Sequence, residues 1–231
     1  MTRSEQKFTI LNVRSKHGAA TPRPAARRQR RREADSRELL AAAERAFSAR
    51  GYAGASIRDI AAEAGFSVGG VYQFFPGKQE LFAAVLEAVW QEYLAVTRAA
   101  LKGPSFAERL TALTRASGEF IAARRSFLAI VLAEGSASDR ALGELVTEKL
   151  VHHRTMRRRQ VVELMKSGLA EGVLRFQDAE FLASAYLGLL TRCQTDALNV
   201  GRGLPAADDL VSLFCSGASA TPRRRSNRTG R

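Results

Sequence analysis

The chain has 231 residues, 45% of them hydrophobic, and a formal net charge of +13. That is enough apolar material for one large or two modest domains, and no apolar run approaches the length needed to span a bilayer. Cys193 and Cys215 provide neither a disulfide framework nor a C-x-x-C pair, and a reducing cytoplasm is the expected location. The charge excess is confined to the ends: residues 1–33 hold ten Lys/Arg and two Glu, residues 220–231 hold five Arg and no acid, and the remainder balances. Both ends are poor in residues that could build a core. Segments 1–32 and 219–231 are therefore expected to be disordered basic arms. The FTILNV stretch at 8–13 is too short and too polar for the apolar centre of a secretion signal.

The first helix is expected at about 32–49, with Leu39, Leu40, Ala43 and Phe47 as its buried stripe and Gly51-Tyr52 as its stop. Next comes SIRDIAAEAGFSVGGVYQFFPGK, residues 56–78. Ser56 and Asp59 make an S-x-x-D helix start, the hydroxyl capping free amides and the carboxylate sitting at the positive helix end. Ile57, Ile60, Ala61 and Ala64 recur at helical spacing. Gly65 follows as a left-handed stop, Phe66 plugs the corner, and Ser67 caps a second short helix at 68–75. Pro76-Gly77 ends that helix and Lys78 opens another. This is the pattern of a helix-turn-helix. Two features set it apart from a hairpin in an ordinary helical core. Gly69 and Gly70 inside a helix cost about 1 kcal/mol each relative to alanine, a cost that suits close approach of the helix to the floor of a major groove. Lys78 in a first helical turn opposes the macrodipole, which makes sense beside a phosphate.

The order and spacing resemble the DNA-binding domain of the tetracycline-repressor (TetR) family of bacterial transcription regulators, through Ser56, Ile60-Ala61, Ala64-Gly65, Ser67, Gly69, Tyr72, Phe75, Lys78 and Leu81. The resemblance implies a DNA-binding domain at 33–93 with its helix-turn-helix at 56–75, and an effector-binding and dimerisation domain at 94–218. Val68, Gly69, Gly70 and Gln73 would face base edges. Gln73 suits adenine N6/N7 or a phosphate, and Val68 suits a thymine methyl. Ser56, Ser67, Tyr72 and Lys78 would belong to the same surface, the last three holding phosphates and setting register. The motif itself is nearly neutral, so Arg27, Arg28, Arg30 and Arg31 of the arm are the nearest rich source of phosphate-neutralising charge.

After Lys78 the periodicity is helical throughout, with helices expected at 78–100, 106–123, 127–133, 139–170, 179–200 and 205–216, closed or capped by Gly103-Pro104, Ser105, Gly172 and Asp178. The fold class is all-α, with about nine helices. The eighth helix is apolar over more than one stripe. Phe181, Leu182, Ala185, Tyr186, Leu189 and Leu190, with Leu210 and Phe214 of the last helix, resemble the four-helix dimer interface of the family. Trp90, Tyr93, Phe106, Phe120, Phe127, Met156 and Met165 are candidates to line an effector cavity, or equally to be plain core. His152 and His153 diverge by about 100° on a helix and do not converge on a metal. The arginines at 154 and 157–159 read as a solvated face, with an anionic effector as the lesser alternative.

The expected function is a homodimeric repressor that binds a palindromic double-stranded DNA operator at the nucleoid and is released by a small-molecule effector, with no cofactor, metal or membrane involved. A nucleoid or scaffold protein of the same shape, acting through a protein partner, is the alternative. An enzyme is not expected: three histidines and no paired carboxylates, nucleophile constellation or phosphate-binding glycine loop leave nothing to carry catalysis.

Overall fold

The computed structural model describes residues 24–137, 139–200 and 203–218. Over these residues the protein is all-α, with nine helices and no strand, and no described helix is long and apolar enough to cross a membrane. The first helix, α1 (Pro24–Gly54), begins eight residues earlier than its apolar stripe predicts. Pro24 stands in the first turn, where a missing N–H is harmless. Ala, Arg and Gln are strong helix formers, and Gln29 Nε2 donates to Glu33 Oε1 across one turn at 2.8 Å. The expectation of disorder is thus corrected for residues 24–32. Residues 1–23 and the expected tail at 219–231 lie outside the described residues.

The described residues up to Asp35 form a unit of their own, and those from Ser36 onward form a second, compact unit. Within the second unit α1 breaks at Gly51, whose φ of 71° is left-handed. There follow α2 (Ile57–Glu63), α3 (Val68–Tyr72), α4 (Lys78–Ala100), α5 (Phe106–Ala123), α6 (Arg125–Ala137), α7 (Asp139–Ala170), α8 (Ala179–Val200) and α9 (Ala207–Ala218). Helix α3 is shorter than its predicted 68–75, because Phe74 and Phe75 both donate to the Val71 carbonyl and turn their rings inward. Helix α6 outruns its predicted 127–133 at both ends. Helix α4 runs unbroken through the expected domain boundary at 93–94.

Two apolar clusters hold the second unit together. The first gathers Leu39, Ala43 and Phe47 of α1, Ile57, Ile60 and Ala61 of α2, Val71 of α3 and Leu81, Phe82, Val85 and Leu86 of α4, and continues to Phe120 and Phe127. The second joins Phe106 and Leu110 of α5, Val161 and Met165 of α7, Leu182 and Tyr186 of α8, and Leu210 and Phe214 of α9. The caps fall where local chemistry places them. Ser105 and Glu108 form a complete capping box on α5, and Asp178 accepts from the amides of Glu180 and Phe181 at 2.9 and 3.0 Å. Some buried polar groups find each other: the Tyr186 hydroxyl pairs with Thr114 at 2.8 Å, and burial pushes that phenol above its ordinary range. Tyr93 pairs with Ser117 at 2.9 Å, and Gln194 donates to the same serine at 2.7 Å.

Candidate functional site

The α2–α3 unit is built from two caps and one glycine. Ser56 accepts from the Asp59 amide at 3.1 Å and donates to its carboxylate at 2.8 Å. At the far end Phe66 donates to the Ala61 carbonyl at 2.8 Å and Gly65 to the Ala62 carbonyl at 3.3 Å. That bond pair is a Schellman stop, and it needs the φ of 71° that Gly65 adopts. Ser67 then caps α3 by accepting from the Gly70 amide at 3.0 Å. Since an L side chain at positive φ costs roughly 1–2 kcal/mol, Gly65→Ala is expected to lower unfolding free energy by that amount, measured by urea denaturation.

The outer face of α3 is bare. Val68 is 39% and Tyr72 51% exposed, and Ser67, Gly69 and Gln73 are exposed with them. A Cβ built on Gly69 meets nothing within 4 Å, so the fold itself does not ask for glycine there. Three of the expected contact residues have duties within the fold. Gly70 does not share the bare face: a Cβ there meets Ser67 Oγ at 3.2 Å and Phe66 at 3.6 Å, so it allows the cap and the corner to close. Ser56 is engaged in capping α2. Lys78 is partly buried, its Nζ donating to the Ala53 carbonyl at 3.1 Å and lying 4.7 Å over the Tyr52 ring. A cation in the first turn of α4 is therefore explained by the carbonyl end of α1. The acids of α2 are answered by arginines of α1, with Arg50 at 2.7 Å from Asp59 and Arg45 at 2.6 Å from Glu63. In the first unit, Arg27, Arg28, Arg30 and Arg31 are all exposed on the helix.

A cavity of about 380 Å³ opens among α4, α5, α6, α7 and α8. Trp90, Ile121, Leu128, Leu150 and Leu198 supply apolar wall, and Arg154, Arg157, Thr191 and Gln194 supply polar wall. Of the seven predicted lining residues only Trp90 is there. Phe106 and Met165 are filled core of the second cluster, and Phe127 packs on Phe82 at 5.5 Å in the first. Tyr93 and Phe120 are buried against each other at 5.4 Å, and Met156 is partly buried against the first cluster. Neither cysteine is fully buried, and burial raises the Cys215 thiol.

The family model of the bacterial regulatory proteins, tetR family, matches residues 39–85, from α1 through α2 and α3 into α4. Over these residues the chain is similar to the DNA-binding segment of the TetR family. The HTH-type transcriptional activator FasR of Mycolicibacterium smegmatis is 35% identical over 115 residues, which is 48% of this chain and 52% of that protein. The chain thus spans about half the length of that curated relative. The crystal structure of a TetR transcription regulator from Haloarcula marismortui shares the fold at 22% identity, with a TM-score of 0.71 over 81% of this chain and 99% of that one. A Saccharomonospora viridis regulator solved in complex with choline does so at 21% identity, with a TM-score of 0.68 over 82% and 100% of the two chains.

The residues expected at a dimer interface divide by burial. Leu182, Tyr186, Leu190, Leu210 and Phe214 are buried in their own second cluster, because one stripe of α8 is taken by α7 and α9. Leu189 is half-buried and packs against the same cluster. Only Phe181, 54% exposed, and Ala185 face outward. Leu213 of α9 is 65% exposed, another large apolar side chain left uncovered.

His153 stands apart from its neighbour on α7. It is fully buried, stacked on Trp90 at 5.5 Å, with Nε2 3.3 Å from Glu87 Oε2, while His152 is exposed. Burial holds its imidazole below the ordinary value of 6.5, although Glu87 pulls the other way and His152 and Lys149 reinforce the shift. The folded state therefore binds this proton more weakly than the unfolded chain. Stability from this group is intact above pH 6.5 and declines as pH falls below it. Thermal melts between pH 7.5 and pH 5 are expected to show falling stability in the wild type and a shallower fall in His153→Leu.

Proposed function

We propose that the protein is a homodimeric transcriptional regulator that binds a palindromic double-stranded DNA operator in the cytoplasm, at the nucleoid, and that a small-molecule effector seated in the α4–α8 cavity releases it, so that it represses. The observation that carries the reading is the bare outer face of α3, where a glycine stands with open space outside it. A helix that presents Val68, Gly69, Tyr72 and Gln73 outward can enter a major groove, Gln73 offering an amide to adenine and Ser67 and Tyr72 reaching phosphates. One five-residue helix reads few base pairs, so two copies on a two-fold operator are the economical solution. The outward residues Phe181, Ala185 and Leu213 are the apolar surface such a pairing would cover. Arg27, Arg28, Arg30 and Arg31 supply phosphate neutralisation that the paired charges around α2 do not.

The FasR relative, named as an activator, favours activation as the second reading. Both outcomes presuppose DNA binding, and the shared naming of relatives as transcriptional regulators favours a regulator over a scaffold. Selection of bound duplexes from a random pool, with sedimentation of the free protein, tests the proposal. Two-fold symmetric sites and a dimer are expected; a monomer that ignores duplex DNA at low salt overturns it, and a reporter carrying the selected site reads the sign. Gln73→Ala is expected to relax the preferred sequence at one position per half-site, by about 1–3 kcal/mol of discrimination, with little loss of affinity for unrelated DNA.

A further inference from the structure

The charges and the unpartnered buried polar atoms of the α4–α8 cavity are one-sided. Two buried atoms on residues that line it, Trp90 Nε1 and Arg157 Nε, donate to no described protein group. Both are N–H donors with no acceptor capacity. Arg157 is otherwise fixed: one terminal nitrogen reaches Thr191 Oγ1 at 3.4 Å and the other reaches Gln194 Oε1 at 3.2 Å. The two residues flank one ring, with Trp90 5.1 Å and the Arg157 guanidinium 5.9 Å from Tyr93. Arg154 adds a second cation to the lining, and no described lining residue is acidic. The rest of the wall is aliphatic, from Ile121, Leu128, Val131, Leu150 and Leu198, with the neutral polar Thr191, Gln194, Thr195 and Asn199 on α8. A buried donor left without an acceptor is costly, and two donors beside two cations in an apolar cavity await an anionic acceptor on an apolar body.

We propose that the cavity takes an organic carboxylate with an apolar tail or ring, its carboxylate held by Arg157, Trp90 and Arg154. A volume of about 380 Å³ lies within the usual range of small-molecule pockets. Arg157 has committed one N–H of each terminal nitrogen and keeps Nε and the two remaining terminal N–H groups for the ligand. The proposal deepens the effector reading given above, but binding is measured without DNA, so its failure and the failure of operator binding are separate results.

Trp90 is the only tryptophan of the chain, so its emission reports on this cavity alone. The full-length protein is titrated with decanoate and 4-phenylbutyrate below any micelle concentration, with the matching neutral amides, with decyl phosphate and with choline, and affinities are confirmed by calorimetry. Saturable emission changes are expected with the carboxylates, with the amides and choline at least roughly tenfold weaker. Arg157→Met should weaken the carboxylates by roughly ten- to a hundredfold and leave the amides unchanged. Arg154→Met, at an exposed position, carries the same expectation to a smaller degree should Arg157→Met fold poorly. Equal binding of acid and amide, tighter binding of choline or of decyl phosphate, no saturation with either carboxylate, or indifference of both variants overturns the assignment.

Discussion

Phe82→Ala is expected to cost about 3–5 kcal/mol of unfolding free energy, the usual loss when a fully buried aromatic is truncated. Phe82 is completely buried. Its ring sits edge-on to Phe47 at 5.0 Å and to Tyr52 at 5.1 Å, and tilted against Phe127 at 5.5 Å. One side chain of α4 thus ties the end of α1 to α6, across the junction between the helix-turn-helix and the helices that follow. Each edge-on pair contributes about 0.5–1.5 kcal/mol beyond its buried area. Urea denaturation followed by far-ultraviolet circular dichroism is expected to show a lower midpoint. Because Tyr52 also carries Lys78 on its face, the loss should loosen the turn between α3 and α4 as well. A cost below about 1 kcal/mol would mean that the two halves do not rely on this cluster.

What the sequence disclosed and what it withheld divide along a physical line. The Ser56, Ser67, Ser105 and Asp178 caps and the Gly65 and Gly172 stops were legible because each is settled within about six residues by hydrogen bonds the chain makes with itself. The helix-turn-helix was legible for the same reason. Residues 24–32 were misjudged because a lack of core-forming residues was taken to mean disorder, whereas alanine, arginine and glutamine make helix readily without a core. For α8, a surplus of apolar residues showed that two faces were apolar, but not which stripe its own domain would take, since that depends on where α7 and α9 lie. Most of the cavity lining was missed by the same non-local step. Large aromatics such as Phe106 and Phe127 fill space, so they mark the core, and the cavity is left where Arg154, Arg157 and Thr191 stand. Lys78 misled because its partner, the Ala53 carbonyl, lies twenty-five residues back.

Gly69 separates folding from function more cleanly than any other position. A Cβ there touches nothing, and its φ is not among the left-handed glycines, which are Gly51, Gly65 and Gly172. Alanine should therefore stabilise α3, by up to about 1 kcal/mol from helix propensity alone. Against DNA the sign reverses. A methyl group between the α3 backbone and a groove floor holds the helix off, and Gly69→Ala is expected to weaken operator binding by roughly tenfold or more. Gly69→Glu adds a carboxylate facing the phosphate-lined groove. It should weaken binding by about a hundredfold, with a melting temperature no lower than that of Gly65→Ala. The measurements are a thermal melt and a binding isotherm on the same preparations. Stability that rises while affinity falls would show a glycine kept for what approaches it from outside. A Gly69→Glu protein that bound the same duplex with unchanged affinity would place the DNA somewhere other than on this face of α3.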